Sequence, residues 1–291
     1  MISYAQNGED VVLERVFGGR DSGFYIDIGA NDPVVDSVTL HFYRRGWRGI
    51  NVEPAPGIFE RLASHRPHDI NLNVGLSNRS TVLTFYDMLS NQGLSTFTRE
   101  LAELYRAEGT PLVERSIPVT TLASVCEAHC DRPIDFMKID AEGHEPEILE
   151  GGDWSRWRPR VVVVEATLRP ERGEHFLLGV NYHKALFDGL NCFYVRDEDR
   201  ELLPAFSLPA NIMDDYHLYR YLHVIEDMQA ERLRLESRIR ELEGQGQRVV
   251  DWEELGPIAK GVARRLRHLS VRNPKLSAAV KRLMYLTRAA G

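Results

Sequence analysis

Short apolar runs alternate with regularly spaced apolar residues along the chain between residues 24 and 196. Short apolar runs favour strands, and apolar residues that recur every three or four positions favour amphipathic helices. The apolar runs predict strands at Phe24–Ile28, Gly49–Val52, Asn71–Leu76, Ile134–Ile139, Val161–Val164 and Cys192–Val195. Thr81–Tyr86 alternates like a strand in or beside the same sheet. The spaced pattern predicts helices at Asp36–Arg45, Gly57–His65, Thr121–Ala128 and Asn181–Asp188.

The order of these elements indicates the fold class. Val161–Val164 consists of β-branched residues, and with Ile134–Ile139 it has the character of strands that are buried on both faces, as in parallel sheets. Strands that alternate with helices are typical of α/β proteins. We therefore predict an open, doubly wound, mostly parallel α/β sheet of the Rossmann-like type, carried by residues 1–215.

The chain changes character near residue 216. A largely apolar series recurs at steps of four and three, interrupted by one arginine, at Tyr221, Ile225, Met228, Arg232, Leu235, Ile239 and Leu242. This spacing predicts an amphipathic helix within residues 216–246, which either pairs as a coiled coil or folds back on the domain. Residues 247–291 are predicted to form a basic helical tail.

The net charge of −7 is unevenly distributed. Nine of the 36 basic residues lie from Ile258 onward, so residues 1–257 hold the other 27 together with all 43 acidic residues. An acidic body argues against nucleic acid as a partner. The basic tail is expected to dock on this body or on the partner subunit of a homodimer. Contact with an anionic membrane surface is the less favoured alternative.

Other features of the sequence narrow the class of protein. Three cysteines are too few, and odd in number, for a disulfide framework. The chain has no apolar run of about 18 residues that would predict a transmembrane helix, and its first segment lacks the features of a signal peptide. Cys126, His129 and Cys130 are expected to be packing residues, because a structural zinc site needs four ligands. We expect a reduced, cytoplasmic protein.

A candidate ligand site lies where two predicted strands end. Asp27 and Gly29 come at the end of the first strand, and Glu53 follows the second. Ligands of parallel sheets bind beyond the carboxyl ends of the strands. Gly29 allows a close approach to the backbone, and Glu53 can accept hydrogen bonds from both hydroxyls of a ribose. The segment lacks a G-x-G-x-x-G pattern, which disfavours NAD and FAD. S-adenosylmethionine, which has no phosphate and carries a cationic amino-acid group, suits this arrangement.

Several blocks of the sequence resemble the FkbM family of S-adenosylmethionine methyltransferases. They are Gln6–Asp10, Tyr25–Asn31, Val52–Pro54, Gly75–Ser77 and Lys138–Glu145, the last followed by Ile148–Gly151. The resemblance extends over residues 3–200 and implies a class I methyltransferase fold with a seven-stranded sheet. It also implies O-methylation of natural products, sugars or glycolipids, including actinobacterial saccharides of the methylmannose polysaccharide type. The cofactor contacts that it implies are Asp27, Gly29, Asn31, Glu53, Pro54, Ser77 and Asp140.

A second candidate site lies within the Lys138–Glu145 block. Asp140 ends a predicted strand and should face the same crevice as Asp27. His144 should lie at the start of a helix, where the helix dipole lowers its pKa and keeps the imidazole neutral. A neutral His144 can take the proton of an acceptor hydroxyl as the oxygen attacks the methyl group. A substrate contact or a helix cap is the alternative role.

Glu142 and Glu165 are the other carboxylates expected at this crevice. Asp140 and Glu165 would hold sugar hydroxyls through hydrogen bonds or, alternatively, bind Mg²⁺ together with oxygens of the substrate. The segments expected to hold the acceptor are Tyr86–Arg115, with the polar loop Asn91–Ser95, and Thr167–His183.

Six further side chains are weaker candidates for the acceptor site. Four aromatic residues are candidate sugar-stacking platforms, with packing in the core as the alternative: Tyr105, Trp154, Trp157 and Tyr182. His175 and His183 are alternative bases that rank below His144.

These features together predict an S-adenosylmethionine-dependent O-methyltransferase that acts on a hydroxyl of a saccharide or glycoconjugate. Methyl transfer is an in-line displacement, so alignment of the reacting atoms supplies much of the acceleration. A polyketide, a lipid or another non-sugar hydroxyl is the alternative acceptor. A scaffold protein that retains the fold and assembles through its C-terminal helices is the alternative outside enzymes.

Overall fold

The computed structural model describes residues 1–166 and 170–244 of the chain. The strands within these residues are β1 (Ile2–Ser3), β2 (Phe24–Ile28), β3 (Arg48–Val52), β4 (Ile70–Leu72), β5 (Gly75–Leu76), β6 (Thr81–Met88), β7 (Leu112–Thr120), β8 (Phe136–Ile139), β9 (Val161–Glu165), β10 (Tyr182–Phe187), β11 (Asn191–Arg196) and β12 (His217–Leu218). The α-helices are α1 (Glu9–Phe17), α2 (Leu40–Arg44), α3 (Pro56–His65), α4 (Arg99–Ala107), α5 (Leu122–His129), α6 (Glu145–Glu150), α7 (Pro170–Gly179) and α8 (Tyr219–Gly244). Three 3₁₀ helices span Gln92–Leu94, Asp197–Phe206 and Ile212–Asp214.

The main sheet of the described residues has seven strands in the order β10-β11-β9-β8-β2-β3-β4. Strands β9, β8, β2, β3 and β4 run parallel, and β11 and β10 add an antiparallel edge. All five residues of β2 are buried, as expected of a central strand covered on both faces. This arrangement confirms the predicted doubly wound, mostly parallel α/β sheet.

Two apolar cores cover the two faces of this sheet. Along β2, Ile26 and Ile28 belong to one core and Tyr25 to the other, because successive side chains of a strand point to opposite faces. The first core includes side chains from α5, α6 and α7. The second contains side chains from α1 and α2 and the rings of Trp47 and Phe136, whose centroids are 6.0 Å apart. Helices on both faces therefore hold the strand ends in fixed positions.

A second sheet of three strands, in the order β5-β7-β6, stands apart from the main sheet. Strands β6 and β7 form an antiparallel pair, and α4 lies between them in the chain. The predicted strand Thr81–Tyr86 thus belongs to this sheet. The single predicted strand Asn71–Leu76 is wrong as one element, since β4 pairs with β3 in the main sheet and β5 pairs with β7 in the second.

The prediction of a helix at Asn181–Asp188 is wrong, because this segment forms strand β10. Buried and more exposed residues alternate there, with Tyr182 and Leu186 in the interior. An Asp188-Gly189 turn then connects β10 to β11, with Gly189 at a φ of 102°. An aspartate followed by a glycine between two strands is a strong hairpin signal, and it outweighs the weak helical spacing of this segment.

The chain divides after Val224 into two compact units, and the division falls within α8. Helix α8 lies within the segment 216–246 predicted to be helical, and its amphipathic packing and its pairing as a coiled coil stay predictions. Tyr221, Leu235 and Ile239 are exposed on it. The predicted basic tail at 247–291 lies outside the described residues. Among the described helices, none combines the length and the apolar character that crossing a bilayer requires.

Candidate active site

The loops after β2 and β8 touch where these adjacent parallel strands end. Gly29 has a φ of 71°, and a Cβ atom added to it would lie 1.8 Å from the carbonyl oxygen of Asp140. The amide groups of Gly29 and Ala30 donate to the carbonyl oxygen of Val52 at 3.0 and 3.2 Å, and the Asp140 amide donates to Ile28 at 3.1 Å. The ends of β2, β3 and β8 are thereby fixed against one another.

A cleft of about 590 Å³, its open mouth included, is lined by these loops. The structure brings six of the predicted site residues together on its lining, namely Gly29, Asn31, Glu53, Pro54, Asp140 and Glu142. The second sheet and the segment that leads to α4 contribute Phe85, Gln92, Gly93, Ser95 and Phe97. The predicted entrance loop Asn91–Ser95 therefore borders the cleft.

Glu53 is held by the backbone at the end of β3. Its Oε2 accepts a hydrogen bond from the Asn31 amide at 2.9 Å, and its Oε1 accepts one from the Ala55 amide at 2.8 Å. Burial raises the pKa of Glu53 to about 7. Among the described groups each oxygen accepts one hydrogen bond, whereas a carboxylate has about four acceptor positions. Glu53 can therefore accept two further hydrogen bonds from neighbouring hydroxyls in the cleft.

Asp27 was predicted to contact the cofactor, but among the described residues it does not line the cleft. It is buried, and its Oδ2 accepts a hydrogen bond from the Thr39 hydroxyl at 2.7 Å. Its Oδ1 lies 3.6 Å from the Lys138 ammonium and has no hydrogen-bond partner among the described groups. Asp27 therefore contacts Thr39 and Lys138 in this structure, and its role as a cofactor contact stays a prediction.

Lys138 is a site residue to which the sequence interpretation assigned no role. Its ammonium donates to the carbonyl oxygen of Gly29 at 2.8 Å and lies 3.2 Å from Oδ2 of Asp140. Burial alone lowers the pKa of Lys138, but the charges of Asp140 and Asp27 outweigh burial and raise it above its usual value. The available signal was a lysine inside the otherwise apolar strand β8.

Four carboxyl groups gather where β8 and β9 end. One oxygen each of Asp140, Glu145 and Glu165 lies within 4.8 Å of the others. The pKa of Glu142 is raised to about 9 by burial and by the charges of Glu165, Asp140 and Glu145. Glu142 is therefore protonated near neutral pH and can donate a hydrogen bond. The predictions named three of these residues and missed Glu145.

Glu145 is the first residue of α6 and is buried. Its Oε1 accepts hydrogen bonds from the amides of Ala141 and Gly143 at 2.8 and 3.1 Å, and burial raises its pKa to about 7. The side chain thus shapes the loop that carries Glu142. Glu145 also lines a smaller pocket together with Glu165 at the end of β9.

His144 lies at the N-cap of α6, close to where the sequence predicted it. Its Nε2 lies 3.1 Å from the Ser77 hydroxyl, and its ring lies 5.6 Å from that of Phe97. Burial lowers the pKa of His144, so the imidazole is neutral at pH 7. Neither His144 nor Ser77 is among the described residues that line the cleft. The roles of His144 as base and Ser77 as cofactor contact stay predictions.

The candidate aromatic platforms have different locations. Trp154 and Tyr182 are buried in the core, and the Tyr182 hydroxyl donates to the carbonyl oxygen of Pro159. Trp157 packs against the same core from a partly buried position. The pKa of Tyr105, on α4, is raised by burial and by the charges of Glu142 and Glu165, and its role as a platform stays a prediction.

The two alternative bases have different positions. His183 is on β10, where its Nε2 pairs with Asp197. His175 is in α7, which follows β9 in the chain. Residues 167–169 of the predicted acceptor segment lie outside the described residues.

The fold is a doubly wound α/β sheet with a cleft at the carboxyl ends of its parallel strands. The methyltransferase FkbM domain matches residues 27–203, more than half of the chain. The chain therefore belongs to the FkbM methyltransferase family and is a methyltransferase. The sequence resemblance to this family is confirmed.

Two solved structures are similar to part of the chain. A TehB-like SAM-dependent methyltransferase from Corynebacterium glutamicum is 8% identical, with a TM-score of 0.36, and the match covers 66% of this chain and 89% of that one. An O-methyltransferase from Bacillus cereus in complex with SAH is 14% identical, with a TM-score of 0.33, and the match covers 65% of this chain and 80% of that one. No curated protein matches the sequence significantly.

Replacing Gly29 by alanine is expected to lower the free energy of unfolding by roughly 3 kcal/mol or more. The added Cβ would meet the carbonyl oxygen of Asp140, and the backbone would keep its positive φ. Gly109→Ala is the matched control, since Gly109 also has a positive φ but its Cβ would meet no described atom within 4 Å. The control should cost about 1 kcal/mol. Urea unfolding measures both values, and equal losses would contradict the importance of the loop contact.

Proposed function

We propose that this chain is an S-adenosylmethionine-dependent O-methyltransferase that acts on a hydroxyl of a saccharide or glycoconjugate. The observation that carries the proposal is a single cleft whose lining joins Gly29 and Glu53 to Asp140 and Glu142. The first pair suits a nucleoside, and the second suits an acceptor that both donates and accepts hydrogen bonds.

The residues present fit S-adenosylmethionine. Glu53 keeps acceptor positions for the two ribose hydroxyls, and the turn at Gly29 exposes backbone to the cleft. The carboxylate of Asp140 on the cleft lining also suits a ligand with positive charge. S-adenosylmethionine supplies a methyl group on a positively charged sulfur when it is bound.

The protonation states of the carboxyl groups favour a polyhydroxylated acceptor. Asp140 is paired with Lys138 and can accept a hydrogen bond from a hydroxyl. Glu142, with a pKa of about 9, donates one at neutral pH. Neighbouring sugar hydroxyls can each donate and accept, so they satisfy both groups at once. A lone aliphatic or phenolic hydroxyl can meet both groups only where they converge on its one oxygen, whereas neighbouring sugar hydroxyls can meet each group from a separate oxygen.

Asp140 is the residue best placed to take the proton of the acceptor hydroxyl. It lines the cleft and is half-buried, whereas His144 is engaged with Ser77 away from the lining. Lys138 keeps the Asp140 carboxylate oriented as the hydroxyl approaches. Holding the acceptor oxygen in line with the methyl group supplies much of the remaining acceleration.

The donor set does not fit a magnesium ion as it stands. Asp140 and Glu165 were the predicted ligands, and the structure adds Glu145 within 4.8 Å. Asp140 already lies beside the Lys138 ammonium, and Oε1 of Glu145 accepts two backbone hydrogen bonds. A divalent cation there would face a fixed positive charge. We therefore assign these carboxyl groups to hydrogen bonding.

Glu53→Gln is expected to weaken the binding of S-adenosylhomocysteine about tenfold or more, because hydrogen bonds to a charged group are lost. The affinity of the wild type should rise between about pH 6 and pH 8, since ionised Glu53 accepts the ribose hydrogen bonds and its pKa in the free protein is about 7. The variant should lose this pH dependence.

Isothermal titration calorimetry across this pH range measures both effects. Glu103→Gln, on the exposed face of α4, is the control and should bind like the wild type. Undetectable binding by the wild type would contradict the methyltransferase site.

Incubation with S-adenosylmethionine and a panel of acceptors is expected to give methylated saccharides. The panel contains oligosaccharides, glycolipids, phenols, long-chain alcohols and polyketide alcohols, and mass spectrometry detects the gain of one methyl group. Equal yields in EDTA and in added magnesium are expected, because Lys138 already neutralises Asp140. Methylation of the non-sugar hydroxyls alone would overturn the saccharide proposal. Loss of activity in EDTA that magnesium restores would overturn the assignment of the carboxyl groups.

Asp140→Asn is expected to lower the turnover of an acceptor from that panel about 100-fold, with a change of less than about threefold in the affinity for S-adenosylhomocysteine. His144→Gln should lower turnover about tenfold or less, because its contact is with Ser77. Rapid-quench assays and calorimetry give the two quantities. The reverse order of the two variants would identify His144 as the base.

A further inference from the structure

Lys138 is a buried cation within an apolar strand, and its surroundings are acidic. Strands β2 and β8 pair so that Asp27 lies directly opposite Lys138. The Lys138 ammonium donates to the carbonyl oxygen of Gly29 at 2.8 Å and lies 3.2 Å from Asp140 and 3.6 Å from Asp27. An ammonium has three donors. Around this one lie the carbonyl oxygen of Gly29 and one carboxylate oxygen each of Asp140 and Asp27.

The position of Lys138 is poorly explained by stability alone. Burying an ion pair costs solvation, and well-packed apolar residues often replace such pairs without loss of stability. Phe136, two residues earlier on the same face of β8, is apolar and fully buried. A methionine at position 138 would continue the same apolar strand. The charge therefore has a role that packing does not supply.

The partners of Lys138 belong to both halves of the cleft. Gly29 ends β2 beside the proposed nucleoside region, and Asp140 ends β8 beside the proposed acceptor region. The Asp140 backbone is already fixed by its hydrogen bond to Ile28, but its side chain contacts Lys138. The Lys138 ammonium thus fixes the position of the Gly29 carbonyl relative to that of the Asp140 carboxylate.

We propose that Lys138 is a positioning residue that holds the Gly29 turn and the Asp140 side chain in fixed positions relative to each other across the cleft. The proposal rests on the proposed function, because it assigns the two halves of the cleft to cofactor and acceptor. Lys138 touches neither of them itself. It acts through the two groups that do.

Lys138→Met should bind S-adenosylhomocysteine roughly tenfold more weakly than the wild type. Amide exchange of residues 29–31 and 140–143 should become roughly tenfold faster, with the centre of the main sheet unchanged. Lys184→Met is the matched control, because Lys184 lies on strand β10 of the same sheet and pairs with Glu174 at 2.6 Å on the surface. It should match the wild type in calorimetry and in hydrogen exchange.

A double variant separates positioning from stability. Asp27→Asn combined with Lys138→Met removes both members of a buried charge pair. The unfolding midpoint of this double variant should therefore recover toward that of the wild type. Binding and loop exchange should stay impaired, because Gly29 and Asp140 still lack the ammonium. If Lys138→Met does not fold, the double variant is compared with Asp27→Asn alone in the same two measurements.

The outcomes distinguish this inference from the proposed function. Unchanged binding and loop exchange in Lys138→Met, or recovery of both in the double variant, would overturn the positioning role. If neither the wild type nor Lys184→Met binds S-adenosylhomocysteine, the proposed function fails. The exchange measurement then still decides whether Lys138 orders the two loops.

Discussion

The approach of two loops at the ends of β2 and β8 is the constraint on which the site depends. Gly29 and the Asp140 carbonyl are so close that a Cβ atom would not fit between them. Adjacent parallel strands bring their carboxyl ends to the same edge of the sheet, and the glycine lets the two loops meet there. Cofactor and acceptor groups can then line one cleft, because the elements that carry them are already in contact.

The same geometry also gathers more acidic than basic side chains at the strand ends. Asp27, Asp140, Glu142, Glu145 and Glu165 gather around Lys138 at the strand ends. Burial and the neighbouring acidic groups hold Glu142 in its protonated form near neutral pH, while the Lys138 ammonium lies 3.2 Å from Asp140. The same cluster therefore offers a hydrogen-bond donor, Glu142, beside a hydrogen-bond acceptor, Asp140. A set of equivalent carboxylates in water would offer acceptors only.

Much of the main sheet could be predicted from apolar runs, because strands buried on both faces have little freedom in composition. The helix prediction at Asn181–Asp188 is wrong because the spacing there suits a strand as well as a helix, and the Asp188-Gly189 turn is the signal that favours the hairpin. Gly29, Glu53 and Asp140 were found through their positions at strand ends. Lys138 was not assigned a role, because its function depends on which residue lies opposite it, and strand register is not visible in one sequence.

The acceptor side of the cleft depends on contacts made across the chain, which explains why it was the least predictable part. Glu142 has a φ of 50°, a backbone conformation that persists in such a residue only when its surroundings hold it. The Thr96 hydroxyl, from the segment before α4, donates to the Glu142 carbonyl at 2.6 Å. The segment before α4, which pairs with β6 through Thr96 and Tyr86, thus holds Glu142 at the cleft. Under the proposed function, changes in this part of the chain should therefore alter the acceptor side while the Gly29–Glu53 side of the cleft is preserved.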